Sequence, residues 1–172
     1  AQAAFNNIIA NTTSDKTVQL SEIAWLNPKR SISKGKVARS IEMAHLPTTG
    51  SFPSGWEMKE YNGGMKFQNG DTLMARITPC LENGKVAFVN FLEDDEIAFG
   101  STEYITMTPK RQFAPEVLYF LVRNAEFIDF AVKNMNGSSG RQRVSADTIG
   151  TFELPDITLE ELHMLETITR EA

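Results

Sequence analysis

The chain has 172 residues and 19.2 kDa, is 41% hydrophobic and 23% charged, and has a mean hydropathy of −0.26. That fits one globular domain able to bury about two-thirds of its unfolded surface without disulfides or a structural metal. A single cysteine, Cys80, excludes a disulfide framework and a multi-cysteine zinc site, and a reducing cytoplasm is expected. With no apolar run near the roughly 18 residues that span a bilayer, and no charged opening followed by an apolar stretch, neither a membrane nor a secreted protein is expected.

The first predicted element is a weakly amphipathic helix over 1–11, built on Ala3, Ala4, Phe5, Ile8 and Ile9 and ended by a polar stretch at 11–15. Short strands follow at Val18–Ile23, Val37–Ala44, Thr72–Thr78, Val86–Phe91 and Glu103–Met107, where β-branched and aromatic residues lie between turn formers. Asn83-Gly84 predicts a hairpin turn. Residues 45–67, with four glycines, Trp56 and Tyr61, read as a long irregular excursion of the kind that carries function. Pro115 opens a buried helix whose stripe of Val117, Leu118, Leu121, Ala125, Ile128 and Val132 runs to about Met135–Gly137. Ser145–Ile149 predicts one helical turn and Phe152–Leu154 a strand. Thr158 to Glu161 forms a capping box. Leu159, Leu162, Leu165 and Ile168 then line a last helix without a stop signal, expected to be the start of a longer helix that docks a partner.

Catalytic signatures fall short. Gly84-Lys85 is followed by Val86, and Pro79 stands where a phosphate loop needs its first glycine. Ser31 to Lys34 matches Ser-x-x-Lys without that motif's partners. Cys80 reads as a small core or turn residue rather than the nucleophile of a pair with His45 or His163. No catalytic residue, metal or cofactor is therefore expected.

The net charge of −5, from 17 basic and 22 acidic residues, argues at first against a polyanionic partner. Its distribution changes that. Residues 153–172 hold six acids and one base, whereas residues 1–152 hold 16 of each. Lys29, Arg30, Lys34, Lys36 and Arg39 follow one another without an acid between them, as do Lys133, Arg141 and Arg143; Glu93 to Glu96 form a separate acidic run. Such a body can offer a basic side to a polyanion while staying acidic overall.

Two constellations carry the chemistry of that contact. In the loop 136–145, Gly137 and Gly140 free the backbone, Ser138, Ser139 and Gln142 supply hydrogen bonds, and Arg141 and Arg143 supply guanidinium forks. In the stretch 76–85, a strand delivers Arg76 and Thr78 to a turn bearing Asn83 and Lys85. Lys29 and Arg30 open the first basic stretch and complete the candidate DNA-binding set. A structural loop and a structural hairpin remain the alternative readings.

Gly70 to Lys85, Gly100 to Tyr104, and Gly137 to Asp147, with the opening at Leu20 and the closing at Leu154, resemble in order and spacing the target recognition domain of type I restriction-modification specificity subunits. The resemblance covers about Val18 to Ala172. It implies an α+β (mixed α/β) fold, with a twisted, mostly antiparallel sheet and packed helices, followed by the start of a long spacer helix. It divides the chain into a helical lead (1–17), a recognition domain (18–155) and the first residues of the spacer (156–172). The function implied is non-catalytic reading of one half of a split site in double-stranded DNA. The partners implied are methyltransferase subunits, a restriction-translocase subunit, and a second recognition domain or a second copy through the spacer helices. One recognition domain leaves open a half-subunit, a fragment and a type IIG-like relative. A protein-interaction or decoy domain on the same scaffold is the competing class.

Overall fold

The computed structural model of the chain describes residues 1–12, 14–110, 113–156, 161, 164 and 166–168. The chain opens with α1 (Gln2–Asn11), as its apolar spacing predicts, and Phe5 sinks into the core against Phe120, ring centroids 5.8 Å apart. β1 (Thr17–Gln19) follows, but the expected strand to Ile23 stops there. Gln19 and Glu22 form a reciprocal capping box, in which the Gln19 amide donates to Glu22 Oε2 at 2.6 Å, and the backbone turns into the short α2 (Leu20–Ile23).

Next come β2 (Ala24–Leu26), β3 (Val37–Ile41), a 3-10 turn (Met43–His45), β4 (Glu57–Glu60), β5 (Met65–Phe67), β6 (Thr72–Ala75), β7 (Val86–Phe88), β8 (Ala98–Gly100) and β9 (Tyr104–Pro109). Then α3 (Glu116–Val122), α4 (Ala125–Lys133), α5 (Ala146–Gly150) and β10 (Glu153–Pro155) complete the named elements. The single helix expected from Pro115 is two. Asn124 is extended, and its side chain accepts from the amides of Glu126 at 3.0 Å and Phe127 at 3.3 Å, which starts a new helix.

The mostly antiparallel expectation holds, with the strands divided into two four-stranded sheets and a β1-β10 ribbon. One sheet, ordered β2-β9-β6-β7, is antiparallel throughout. The other, ordered β4-β3-β8-β5, is antiparallel except between β3 and β8. The first sheet is the middle layer. Met74, Val86, Ile105 and Met107 pack against Leu118, Leu121 and Phe127 of the helices, while Leu73, Ala87 and Tyr104 pack against Ile41, Phe67 and Ala98 of the second sheet. Burial on both faces explains why all four residues of β6 are buried, Thr72 included.

The second sheet corrects the reading of 45–67 as irregular: β4 and β5 lie within it. Glu57-Met-Lys-Glu60 has no apolar alternation, so its pairing to β3 could not be seen locally. Gly100 lets the layers close. A Cβ there would fall 2.2 Å from the Ile41 carbonyl oxygen and 2.5 Å from Tyr104 Cε2. Tyr104 is fully buried, its hydroxyl donates to that same Ile41 carbonyl at 2.8 Å, and burial pushes its phenol well above the ordinary value.

Candidate nucleic-acid interface

The two constellations meet. Asn136 and Arg143 exchange both backbone hydrogen bonds, at 2.8 and 2.9 Å, and the Arg141 amide donates to the Ser138 carbonyl at 3.0 Å. The loop is thus a closed hairpin with Ser138, Ser139, Arg141 and Gln142 exposed at its tip. Gly137 takes φ +125°, and a Cβ there would press within 2.9 Å of the Arg141 carbonyl oxygen, so the hairpin needs glycine at this place.

The hairpin is pinned across the end of β6. The Thr78 amide donates to the Gln142 carbonyl at 2.9 Å, the Val144 amide donates to the Arg76 carbonyl at 3.0 Å, and Val144 is fully buried beneath. Arg76, Thr78, Gln142 and Arg143 therefore share one corner. Thr78 gives its hydroxyl to Glu82. Beyond it the chain winds through 79–85, where the Leu81 amide donates to Ile77 and the Asn83 amide to Pro79, a longer link than the two-residue turn that Asn83-Gly84 predicts. Asn83 is exposed there, while Lys85 reaches back to the Met43 carbonyl at 3.1 Å and is half-buried.

Arg143 is already held. Its Nε donates to Glu103 Oε1 and Oε2 at 3.0 and 2.9 Å, and its Nη2 lies 2.9 Å from Oε1. Hydrogen bonding and then charge from Glu103 keep this guanidinium more firmly protonated than usual. Arg76 has its Nε buried without a hydrogen-bond partner.

Lys29 and Arg30 lie elsewhere. Lys29 is exposed, but Arg30 donates from Nε and Nη2 to Asp71 at 3.1 and 2.7 Å and from Nη2 to Thr108 Oγ1 at 2.9 Å, with 11% of its side chain exposed. Asp71 precedes β6 and Arg76 follows it, so at about 3.3 Å per residue the two ends are roughly 16 Å apart. Arg30 is a fastening inside the fold, outside the surface that the hairpin shares with Arg76. The acidic run is not set apart from the first basic stretch either: Arg39 pairs with Glu96 at 3.0 Å.

One feature escaped the motifs. Phe52 and Trp56 flank Phe91, ring centroids 5.1 and 5.6 Å away, with the Arg39 guanidinium 4.8 Å over Trp56, and Phe52 and Trp56 remain 55% and 41% exposed. The excursion that carries them is tied to the 79–85 turn by Arg123, which donates to Thr48, Gly50 and Gly84 carbonyls. In the sequence its members show only as Phe52 and Trp56 among glycines and serines and Phe91 at the end of a predicted strand. His45 uses Nδ1 to accept from the Glu42 amide at 3.3 Å. Leu159, Leu162 and Leu165 of the proposed docking helix, and His163, lie outside the described residues; Ile168 is helical and half-buried.

No protein-family model matches the chain. Two curated relatives from Escherichia coli do: the type I restriction enzyme EcoAI specificity subunit, 31% identical over 148 residues, and the EcoEI specificity subunit, 26% identical over 144. The matches cover 83% and 80% of this chain but 25% and 24% of the relatives, so the chain spans about a quarter of their length. In fold it is similar to the HsdS subunit of Thermoanaerobacter tengcongensis, with a TM-score of 0.69 at 19% identity over 91% of this chain and 41% of that one. In sequence over most of its length the chain is similar to a part of the specificity subunits of type I restriction-modification systems, and in fold to a part of an HsdS subunit.

Proposed function

We propose that the chain is a non-catalytic DNA target recognition domain that reads one half of a split site in a cytoplasmic type I restriction-modification complex. The observation that carries this is the pinning of the 136–143 hairpin across Arg76–Thr78, which sets two arginines, two serines and a glutamine on one rigid corner. Guanidinium and carboxamide groups are the side chains that pair with guanine and adenine edges, and hydroxyls and backbone amides position phosphates. Asn83 and Lys85 extend the corner along the 79–85 turn, and the 45–67 excursion tied to that turn supplies target-specific contacts. Leu159, Leu162, Leu165 and Ile168 supply the apolar side chains that dock methyltransferase subunits, through which the restriction-translocase subunit is recruited. Lys29 adds a peripheral phosphate contact.

The test is filter binding of duplex DNA by the chain and by its Arg141→Ala plus Arg143→Ala variant across a salt series. Binding weakens, and the slope of log K against log salt becomes shallower by about 0.9 for each phosphate no longer neutralised. Unchanged affinity with an unchanged slope would remove the hairpin from the interface.

A further inference from the structure

We propose that Glu103 is a specificity latch: it holds Arg143 in the free domain and releases it only to a DNA site at which the other contacts of the corner are satisfied. The inference rests on the DNA-reading function proposed above and goes beyond it, because it assigns a role to an acidic residue on a surface meant for phosphate.

Both halves of the latch are rigidly mounted. The Glu103 carbonyl accepts from the Arg76 amide at 2.9 Å, its amide donates to Ser101 Oγ at 3.0 Å, and the next residue is the buried Tyr104. Arg143 is the closing residue of the hairpin, bonded to Asn136 on both sides. Neither side chain must search for the other. Nε and Nη2 of Arg143 face the Glu103 carboxylate, and Nη1 donates to the Arg141 carbonyl at 3.4 Å. Two oxygens presented to the edge of a guanidinium are the geometry a phosphate offers. Glu103 thus occupies the place of the nucleic-acid acceptor, and any phosphate or guanine edge that takes Arg143 has to displace it.

The pair is suited to exchange. Arg143 is 42% and Glu103 24% exposed, so solvent screens their attraction, and pairs of this kind are weak enough to open. On the same corner the Nε of Arg76 is buried without a hydrogen-bond partner. A loosely held, non-specific duplex gains too little to break the latch and is repelled by Glu103. A matched site recruits Arg143 as an added contact.

The experiment selects bound duplexes from a randomised pool with the chain and with Glu103→Gln. It then measures affinities of both proteins for the selected duplex and for a scrambled one across a salt series. Glu103→Gln should bind the scrambled duplex about two to five times more tightly, the span of an exposed ion pair. Its salt slope on that duplex should steepen by about 0.9, one more phosphate neutralised. Affinity for the selected duplex should change less. Glu103→Asp, which keeps the charge but shortens the reach, should also relax selection, and Arg143→Gln should abolish the effect of Glu103→Gln. An equal gain on both duplexes, or one that persists with Arg143→Gln, overturns the latch and leaves a plain charge effect. Unaltered selection by Glu103→Gln and Glu103→Asp overturns it as well. Failure of the unaltered chain to retain any duplex would instead defeat the DNA-reading function, and the latch with it.

Discussion

The guanidinium of Arg30 closes on the carboxylate of Asp71 through two nitrogens, at 3.1 and 2.7 Å, and the carboxylate is fully buried. Asp71 also accepts from the Gln68 amide at 2.9 Å and from the Thr108 hydroxyl, so its lone pairs are answered by the loop before β6 and by β9 as well as by Arg30. A buried charge with four such donors ties the 27–36 connection to the middle sheet.

Arg30→Ala strands the Asp71 charge in the interior and should cost about 3–5 kcal/mol, whereas replacing both residues by apolar ones of similar volume should recover most of it. Urea unfolding measures both. A loss below about 1 kcal/mol for the single variant would contradict the clasp. At temperatures where the variant stays folded, its salt slope on duplex DNA should match that of the unaltered chain.

Arg123 fastens the aromatic excursion to the 79–85 turn by donating to three backbone carbonyls, and the strip beside it is completed by the Val86 amide to Pro47 and the Phe88 amide to Ser51. Arg123→Ala should cost on the order of 2 kcal/mol, as for hydrogen bonds to a charged group. Amide exchange at Val86 and Phe88 should accelerate more than at Met74, in the centre of the sheet. Uniform acceleration at all three would mean that Arg123 supports global stability only.

Tyr104→Phe leaves the buried Ile41 carbonyl without its hydroxyl donor and should cost about 1–3 kcal/mol. The tyrosine also sets a pH dependence. Burial first, then the charges of Glu42 and Cys80, hold the folded phenol's pKa above its unfolded value. The unfolded chain therefore loses this proton more readily once the pH passes about 10. Stability falls from there upward, and Tyr104→Phe should flatten that decline in thermal melts between about pH 9 and 11. An identical decline in the variant would assign it to other groups.

Gly100→Ala places a methyl group against the Ile41 carbonyl and the Tyr104 ring, two parts of the core that cannot both move. The expected loss exceeds about 3 kcal/mol, with the near-ultraviolet signal of the buried tyrosine reduced at temperatures where far-ultraviolet structure persists. A melting temperature within a few degrees of the unaltered chain would show that β3 and β8 can separate at little cost.

Elements whose residues alternate or recur within a few positions were legible in the chain itself. The stripe of Phe5, Ile8 and Ile9 marks α1, the runs at 72–75 and 86–88 mark two strands of the middle sheet, and Ser145 marks the start of α5. Four-residue events were harder to read. The Gln19–Glu22 box and the Asn124 cap each redirect the backbone against the surrounding propensity, because one side chain that satisfies helix-end amides outweighs several weak preferences.

The sequence by itself determined the candidate chemistry: hydroxyls, amides and arginines in a glycine-freed loop, no recognisable catalytic motif, and acidity gathered after residue 152. Only the tertiary structure decided which cations are available. Arg30 and Arg39 stand in a basic stretch of the same kind as the one that holds Arg141 and Arg143, yet Asp71 and Glu96, distant in sequence, claim them. Charge counted along a chain ignores such long-range pairing, and a guanidinium meets DNA only where folding leaves it an exposed edge or a partner it can exchange.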